Sequence, residues 1–455
     1  MRRIVWAIVL VGAAQAQTFT SLVSFDGANG SRPGLGALVQ GLDGLFYGTT
    51  LYGGTAGSGT FFAFNLPRNL TSFYSFAPAV GASPNALMLA ANGTFYGTAE
   101  FGGQYNDGTI FSITSGGALT TLYTFNAYDH GGYTPVGGLT AGFDGMLYGA
   151  TQQGGPFSIG TVFRMTLGGV FTELALFNGY PGAYPVAAMV QGSNGLLYGV
   201  SVGDGASGSD GTIYSLSQAG VLSLLVSFDK TDGQYPWGGL VEGADGNLYG
   251  TTSQGGSVSG LGTVFRVTTG GALTTLHEFK GSDGAQPWGA LIQGTDGNFY
   301  GTTIAGGANN EGTIFQITPG GALTTLHSFD GTDGYLPWAG LVQGTDGNFY
   351  GATYEGGASN DGTLFELSMG LAPFVRTVPW FGKTGATVTI LGTDLAGATG
   401  VTFNGVAAEF TPGSATAITA TVPAGATSGQ VKVTTPGGTL TSNVAFQVLE
   451  PEGTE

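Results

Sequence analysis

Residues 288–301 read WGALIQGTDGNFYG, and residues 338–351 repeat them with few changes as WAGLVQGTDGNFYG. The Tyr-Gly pair that ends this stretch recurs along the chain at intervals of 49 to 52 residues. It begins at Tyr47, Tyr96, Tyr148, Tyr198, Tyr249, Tyr300 and Tyr350. A second marker, Gly-Thr followed by an apolar and then an aromatic residue, begins at Gly59, Gly108, Gly160, Gly211, Gly262, Gly312 and Gly362. Seven copies of both markers indicate an internal repeat of about 50 residues.

Each repeat divides into four short predicted strands, which we label A to D. In the copy that starts at Gly239, residues 239–242 predict strand A and residues 248–252 predict strand B, with a DGN hairpin turn between them. Residues 262–268 predict strand C, and residues 273–279 predict strand D. Four strands in about 50 residues is the period of a propeller blade, whereas a coil of a β-helix needs only about 20 to 30 residues.

The order of strands at the two ends predicts that the ring closes. Residues 19–25 (FTSLVSF) resemble a D strand, and seven A-B-C sets follow before the last C strand ends near Leu367. The N-terminal strand can therefore pair beside the last C strand, which removes two free sheet edges. We predict an all-β chain in which residues 17–371 form a closed seven-bladed β-propeller with four-stranded blades.

The repeat is similar to the bacterial GloVer tandem repeat, a family of exported proteins that carry various cell-surface anchors. The matching residues are GLVEGADGNLYGTT at 239–252 and GTVFR at 262–266. The resemblance covers roughly residues 19–367. It implies a location outside the cytoplasm and adds no catalytic residue.

The pattern changes after Met369, and short alternating strands with Gly/Pro turns predict a small β-sandwich over residues 372–449. This stretch resembles the immunoglobulin-like IPT/TIG family in residues 385–395, 401–406 and 421–425. That resemblance implies a spacer or adhesion module. Residues 450–455 (EPEGTE) are expected to form an acidic tail.

Composition restricts the class of partner. The chain has 455 residues, of which 87 are glycine and 9% are charged, and its net charge is −17. So acidic a surface repels nucleic acid and anionic membranes. The glycine content is high against a usual 7% or so, but 42% of the residues are hydrophobic, so a core can form.

The first residues predict export. Arg2 and Arg3 precede an apolar stretch that is too short to span a bilayer, and Ala14-Gln15-Ala16 fits the small-x-small cleavage rule. Residues 1–16 are therefore a predicted signal peptide, and the mature protein is expected to be secreted or held at the cell surface, without a transmembrane span, as a monomer. The chain has no cysteine, so its stability is expected to come from packing alone.

The candidate ligand site lies on the face where the longer D-to-A and B-to-C loops meet, which we call the loop face. Three D-to-A loops share the pattern Asp-Gly-x-x-Pro-Trp. The candidate residues are Trp237, Trp288, Trp338, Tyr235, Tyr335, Asp232, Asp283 and Asp333. The aromatic rings could stack on sugar rings while the carboxylates accept hydrogen bonds from hydroxyls. The alternative is that each Trp is a structural wedge between blades, because Val136 and Val186 replace it in two copies.

Other candidate sites have simpler explanations. The repeated Asp-Gly of the A-to-B turns matches hairpin chemistry. Calcium is the rival ligand for Asp229 with Asp232 and for Asp330 with Asp333, although a hard cation needs six to eight oxygens. His277 and His327 occupy the same position of strand D on different blades, where outer-strand packing explains them better than metal catalysis.

These observations favour an exported, non-catalytic recognition or adhesion module that binds a glycan or an extracellular protein on the loop face. One alternative is a carbohydrate-active hydrolase or lyase that uses a pair of loop-face carboxylates. A structural protein of the cell envelope or matrix is the other alternative. No metal or organic cofactor is predicted, apart from calcium as the rival noted above.

Overall fold

The computed structural model describes residues 17–65, 69–128, 131–203 and 210–450. Within these ranges all regular structure is β, as predicted, and no helix is long and apolar enough to cross a membrane. The predicted signal peptide and residues 451–455 of the predicted tail lie outside the described residues.

The repeats form seven antiparallel sheets, numbered here along the chain. Sheet 1 contains β2 (Ser31–Pro33), β3 (Val39–Gln40), β4 (Phe46–Tyr52), β5 (Thr60–Asn65) and β6 (Asn69–Ser75). Sheet 2 contains β7 (Ala82–Leu89), β8 (Phe95–Phe101), β9 (Thr109–Ile113) and β10 (Leu119–Thr124). Sheet 3 contains β11 (Thr140–Ala141), β12 (Leu147–Thr151), β13 (Thr161–Met165) and β14 (Phe171–Leu176). Sheet 4 contains β15 (Ala183–Pro185), β16 (Val190–Gln191), β17 (Leu197–Gly203), β18 (Thr212–Leu216) and β19 (Leu222–Ser227).

Sheets 5 to 7 follow the same order. Sheet 5 contains β20 (Val241–Glu242), β21 (Leu248–Thr252), β22 (Thr263–Val267) and β23 (Leu273–Glu278). Sheet 6 contains β24 (Ile292–Gln293), β25 (Phe299–Thr303), β26 (Thr313–Ile317) and β27 (Leu323–Ser328). Sheet 7 contains β28 (Val342–Gln343), β29 (Phe349–Thr353), β30 (Thr363–Ser368) and the N-terminal strand β1 (Thr18–Ser24).

The predicted strands B, C and D of sheet 5 agree with the structure to within one residue at each end, but strand A is shorter than predicted. Strand A was expected from Gly239 and begins at Val241. The residues before it come close to the neighbouring repeats. A Cβ placed on Gly238 would lie 2.8 Å from the carbonyl oxygen of Gly289 in the next repeat.

Sheet 7 is built from both ends of the repeat region. Strand β1 pairs antiparallel with β30, in the position that the order of predicted strands indicates. Leu22 of β1 and Phe25, the residue directly after β1, are buried in the core. Without β1, one edge of β30 would have free backbone donors and acceptors.

Seven core clusters connect the sheets in order. Six of them join sheets 1–2, 2–3, 3–4, 4–5, 5–6 and 6–7. The seventh joins sheet 7 to sheet 1 through Phe25, Tyr350 and Leu364 on one side and Phe46 and Phe62 on the other. Every sheet therefore buries both of its faces against a neighbour, which explains the low content of charged residues.

A repeated junction ties each sheet to the next on the loop face. Each repeat has a proline in its D-to-A loop, and the residue before this proline adopts φ between 53° and 58° in all seven repeats. These residues are Arg32, Ser83, Thr134, Tyr184, Tyr235, Gln286 and Leu336. Each backbone N–H donates to a carbonyl in the B-to-C loop of the preceding sheet at 2.8–3.4 Å. This bond holds a sparsely populated backbone conformation in place.

The proline of each junction is buried against the glycine of the Gly-Thr marker in the preceding repeat. A Cβ on Gly262, which has φ +98°, would lie 2.9 Å from Cδ of Pro287 and 2.3 Å from the carbonyl oxygen of Thr252. The junction between sheets 7 and 1 is built in the same way, from Gly362 and Pro33. The Gly-Thr marker therefore marks contact between repeats as well as the start of strand C.

The A-to-B turns on the opposite face are fixed by two kinds of side-chain hydrogen bond. The tyrosine of the Tyr-Gly pair donates to the turn aspartate four residues earlier, as Tyr249 does to Asp245 at 2.9 Å. The strand-A glutamine of the next sheet accepts from the turn backbone, as Gln293 does from Ala244 at 2.9 Å. The hairpin turn thus explains the repeated aspartates, and the bond from the tyrosine hydroxyl is a second role that the sequence did not indicate.

Residues 376–449 form a second region with its own core. One sheet contains β31 (Arg376–Val378), β33 (Thr387–Leu391), β36 (Phe410–Pro412) and β37 (Ala417–Thr421). The other contains β34 (Gly400–Phe403), β35 (Val406–Ala408), β38 (Val431–Thr435) and β39 (Gly438–Thr441). Strands β32 (Phe381–Lys383) and β40 (Gln447–Leu449) pair in parallel. A single cluster, which includes Ile390, Phe403 and Val433, lies between the two four-stranded sheets.

The second region packs against the A-to-B turn face of the repeats. Phe143 in the turn of sheet 3 makes T-shaped contacts with Trp380 at 5.4 Å and with Phe381 at 5.0 Å between ring centroids. Half-buried Arg376 donates to the carbonyl oxygen of Gln40 at 3.4 Å. Thr416 donates to the carbonyl oxygen of Leu42 at 3.0 Å. The loop face of the repeats lies on the other side and is free of these contacts.

Candidate functional site

A cavity of about 550 Å³ lies where the innermost strands of the seven sheets converge. Its wall contains residues from every repeat, and all of them except Glu100 and Gln152 lie at positions that follow the junction prolines. Most of these residues are glycine, alanine or larger apolar side chains. A largely apolar pocket with a few polar groups is the usual form of a small-molecule site.

The three predicted tryptophans line this cavity together. The rings of Trp237 and Trp288 stack with centroids 5.2 Å apart and an interplanar angle of 13°. Trp288 and Trp338 stack at 5.3 Å and 28°, and Trp338 stacks on Tyr354 at 3.9 Å and 19°. We call these four residues the aromatic ladder. It forms because three consecutive repeats place an indole at the same position beside the cavity.

At the Tyr354 end of the ladder, the guanidinium group of Arg32 occupies a cation site formed by aromatic rings and a carboxylate. The guanidinium carbon of Arg32 lies 5.0 Å from the ring centroid of Tyr354 and 5.6 Å from that of Tyr52. Arg32 also forms an ion pair with Glu355 at 3.2 Å and donates to the Tyr354 hydroxyl at 3.3 Å. Aromatic faces attract cations through their quadrupole, and the carboxylate adds a full charge.

The remaining wall of the cavity is different. Val136 and Val186 occupy the tryptophan position in sheets 3 and 4, and Ala187 and Ala188 lie beside them. The cavity is therefore aromatic along sheets 5 to 7 and aliphatic along sheets 3 and 4. The predicted wedge role and the predicted stacking role of the tryptophans are not exclusive, because each indole is half-buried between neighbours and still borders the cavity.

Within the part of the chain that the structure describes, Glu100 is the only ionisable residue that lines the cavity, and Gln152 is the only amide. Glu100 is half-buried at the end of β8, and burial raises the pKa of its carboxyl group above its ordinary value. No hydrogen bond or ion pair of this carboxylate is found within the described residues. An unpaired, partly desolvated acid in an apolar wall is a functional candidate.

The predicted aspartates are not brought together with the tryptophans. The Oδ2 atom of Asp283 is bonded to Nε2 of His277 at 2.9 Å, and Asp333 makes the same contact with His327 at 2.8 Å. Asp232 accepts a bond from the backbone N–H of Asp229 at 2.9 Å. None of the three aspartates lines the cavity.

The two predicted tyrosines do not occupy equivalent positions. Tyr235 is the junction residue of its repeat, with φ 54°, whereas Tyr335 lies one position earlier relative to its proline and pairs with the backbone of Glu355. Both are half-buried, and neither lines the cavity. Both belong to D-to-A loops, so they stay candidates for contact with a ligand that extends out of the cavity.

The histidines belong to the outer strands, as the sequence indicates. The ring of His327 stacks on Phe19 of β1 with centroids 3.6 Å apart, and His277 packs edge-on against Phe279. The third histidine, His130, lies outside the described residues. Within the part of the chain that the structure describes, no three metal-ligating side chains group together.

In the two loops considered for calcium, the first aspartate uses one carboxylate oxygen, Oδ1, to accept bonds from within its own turn. Asp229 Oδ1 accepts from the N–H and hydroxyl of Thr231, and these bonds hold the pKa of Asp229 below its ordinary value. Asp330 accepts in the same way from Thr332, with the same direction of pKa shift. These contacts explain the spacing of the aspartates as turn chemistry.

Sequence reasoning missed Glu100 and Gln152. Both lie four residues after the tyrosine of the Tyr-Gly pair, at or just after the end of strand B. The same position holds Leu51, Val202, Ser253, Ile304 and Tyr354 in the other repeats. The signal was available as a variable position inside an otherwise uniform strand. That this position borders the cavity follows only from the arrangement of the seven sheets around the cavity.

Comparison with known proteins agrees with the repeat and the fold. The family model described as the Gloeobacter/Verrucomicrobia repeat matches residues 11–209 and 188–415. No curated protein matches the chain. A catalytically inactive virginiamycin B lyase from Staphylococcus aureus, solved with quinupristin, is similar with a TM-score of 0.56 and 19% identity, over 78% of this chain and 99% of that chain.

A second similar structure covers more of this chain. The extracellular domain of a hybrid two-component system from B. thetaiotaomicron matches with a TM-score of 0.52 and 14% identity, over 95% of this chain and 55% of that chain. Both structures are β-propeller proteins, so the chain has a β-propeller fold. At these identities the similarity concerns the fold and says nothing about ligands.

Proposed function

The chain belongs to the Gloeobacter/Verrucomicrobia repeat family, and from this premise we propose that it is an exported, non-catalytic recognition module. Its ligand, a glycan or an extracellular protein segment, enters the central cavity from the loop face. The observation that carries this function is the aromatic ladder, which borders the cavity with three stacked indoles.

The proposal includes the domain organisation. Residues 1–16 are a signal peptide, residues 17–371 are a seven-bladed propeller closed by β1, and residues 372–449 are an immunoglobulin-like sandwich. The cyclic order of the core clusters supports seven blades, because sheet 7 contacts sheet 1 as every other sheet contacts its successor. The single core between two four-stranded sheets supports the sandwich.

The geometry favours binding by shape and apolar contact. Sugar rings present C–H faces that pack against apolar and aromatic walls, and the cavity volume of about 550 Å³ lies within the range that small ligands occupy. The second region covers turns on the opposite face, so its contacts leave the loop face open to a ligand. A surface location agrees with the family and with the extracellular domain that has a similar fold.

Binding can be tested by removing the ladder. The variant Trp237→Ala/Trp288→Ala/Trp338→Ala is expected to lose glycan-array binding by roughly 100-fold, because three stacked aromatic contacts are removed. Tyr128→Ala is the matched control, since Tyr128 is an exposed aromatic of the same face at 92% exposure and lies outside the cavity. Thermal melting of both variants separates loss of binding from loss of folding. Equal binding by the folded triple variant and the parent protein would refute the proposal.

An enzymatic function on the same face is the second candidate. Burial raises the pKa of Glu100, and a carboxylic acid of raised pKa in an apolar pocket is a suitable proton donor. Hydrolase and lyase assays on the glycans that bind the protein distinguish the two functions. Turnover that disappears in Glu100→Gln while binding persists would establish the enzyme instead of the binder.

A further inference from the structure

We propose that the central cavity takes a cationic ligand, specifically an amine-bearing sugar, whose ammonium group pairs with Glu100 while its ring packs on the aromatic ladder. This inference rests on the proposed function, because it assumes that the cavity binds a ligand, and it adds the chemical class of that ligand.

The first argument is the isolation of the Glu100 carboxylate. Among the described residues that line the cavity it is the single ionisable group, and none of the others is an arginine, lysine or histidine. Burying a carboxylate without a partner costs free energy, and a protein recovers this cost when a counter-charge arrives. A cationic group in the cavity supplies that counter-charge, whereas an anion or a neutral hydroxyl supplies less or none.

The second argument is the placement of Glu100 relative to the ladder. Glu100 belongs to sheet 2, and the ladder belongs to sheets 5 to 7. Because the sheets contact one another in cyclic order, sheet 2 lies across the cavity from sheets 5 and 6. A ligand between them would meet a carboxylate on one side and the row of stacked indoles on the other. An amino sugar has both groups that this arrangement fits, an ammonium and an apolar ring face.

The third argument is the Arg32 site at the end of the ladder. There the protein holds its own cation with two tyrosine rings and the carboxylate of Glu355. The cavity also places aromatic rings opposite a carboxylate, and no basic residue lines it within the described residues. The rim adds to the attraction, because the described loops of this face have only Arg32, Lys230 and Lys280 as basic residues among many carboxylates.

The test compares two probes that differ by one charge per ring. The disaccharide of glucosamine has free amines, and its N-acetylated counterpart has neutral amides in the same places. Isothermal titration and tryptophan fluorescence near neutral pH are expected to show the free amine binding roughly ten-fold or more tightly. Glu100→Gln is expected to reduce this preference to less than two-fold, because it removes the charge and keeps the shape.

Matched variants keep the outcome interpretable. Glu278→Gln makes the same change of charge on an outer strand, where the carboxylate accepts bonds from Ser257 and Val258, and it is expected to leave the preference unchanged. Glu100→Asp keeps the charge and is expected to retain the preference with weaker binding. Melting curves check the fold of each variant.

The outcomes separate this inference from the proposed function. If both probes bind equally and Glu100→Gln changes nothing, while the triple tryptophan variant loses binding, the cationic ligand is refuted and the recognition function stands. If neither disaccharide binds but a lysine-rich peptide binds in a Glu100-dependent manner, the amino sugar is refuted in favour of a basic protein segment. If binding of every probe is independent of the tryptophans, both proposals are refuted.

Discussion

The cavity wall along sheets 5 to 7 and the wall along sheets 3 and 4 share one backbone and differ in chemistry. Trp237, Trp288 and Trp338 stand where Val136 and Val186 stand on the other side. The residue before the proline has φ of 54° in Tyr235 and 58° in Thr134, so the junction geometry is the same in both halves. The difference teaches that the repeat fixes the backbone through glycine and proline, while the residue after the proline is free to set the chemistry of the cavity.

The largest effect on the backbone arrangement that both cavity walls share is expected from opening the ring. A variant that lacks residues 18–25 exposes an edge of β30 and removes buried Leu22 and Phe25 from the core. Each buried side chain of this size contributes about 2–5 kcal/mol, so the thermal midpoint is expected to fall by roughly 10 °C or more. Removal of residues 451–455 is the control and is expected to leave the midpoint unchanged. An unchanged midpoint in the first variant would mean that β1 contributes nothing to closure.

The junction can be tested on both sides of the cavity by adding one methyl group to its glycine. Gly262→Ala and Gly108→Ala place a Cβ within 3 Å of a proline Cδ and a backbone oxygen at positive φ, so each is expected to lower the free energy of unfolding by about 3 kcal/mol. Gly246→Ala also has positive φ but meets nothing within 4 Å, and about 1 kcal/mol is expected. Urea unfolding measures all three. A small effect of Gly108→Ala beside a large effect of Gly262→Ala would contradict the equivalence of the two halves.

The tyrosine bonds of the turn face give the smallest expected effect. Burial and the hydrogen bond to the turn aspartate raise the pKa of Tyr148 and of Tyr249 to about 12 from an ordinary 10. The phenol therefore stays protonated in the folded state while it ionises in the unfolded state, so the stability it adds is complete below pH 10 and is lost as the pH rises from about 10 to 12. Unfolding experiments at neutral and alkaline pH are expected to show this decline.

Tyr249→Phe isolates one of these bonds. The substitution removes a hydrogen bond to a carboxylate and is expected to cost about 1–2 kcal/mol at neutral pH, with a shallower alkaline decline than the parent protein. Tyr198→Phe is the control, because the Tyr198 hydroxyl accepts from the neutral amide of Asn194 instead, and a smaller loss is expected. Identical losses in the two variants would argue against a special contribution of the aspartate.

The architecture of the repeats could be predicted from the sequence because the same two markers recur in all seven repeats. The spacing of Tyr-Gly and Gly-Thr gave strands B, C and D to within a residue, and the D-like segment at residues 19–25 indicated where β1 pairs. The junction could not be predicted, because a left-handed residue before proline is uncommon and depends on a hydrogen bond from another repeat.

The site was predictable only in its aromatic part. Trp237, Trp288 and Trp338 share a position in consecutive repeats, so their meeting follows from the repeat. Asp283 and Asp333 were expected to contact a ligand, but each carboxylate is hydrogen-bonded to the histidine six residues earlier in the chain. Glu100 lies in a strand that reads as structural, and only the convergence of seven sheets brings it to the cavity.

The junction between sheets 7 and 1 has a consequence for how such a chain can change over time. Each repeat carries the glycine that receives its successor's proline and the proline that enters its predecessor's glycine, and the last junction uses the same parts, Gly362 and Pro33. A duplicated or exchanged repeat therefore arrives with both halves of its interface already matched. Genetic recombination between repeats can replace the residues that face the cavity, one wall at a time, without the need to build a new contact between sheets.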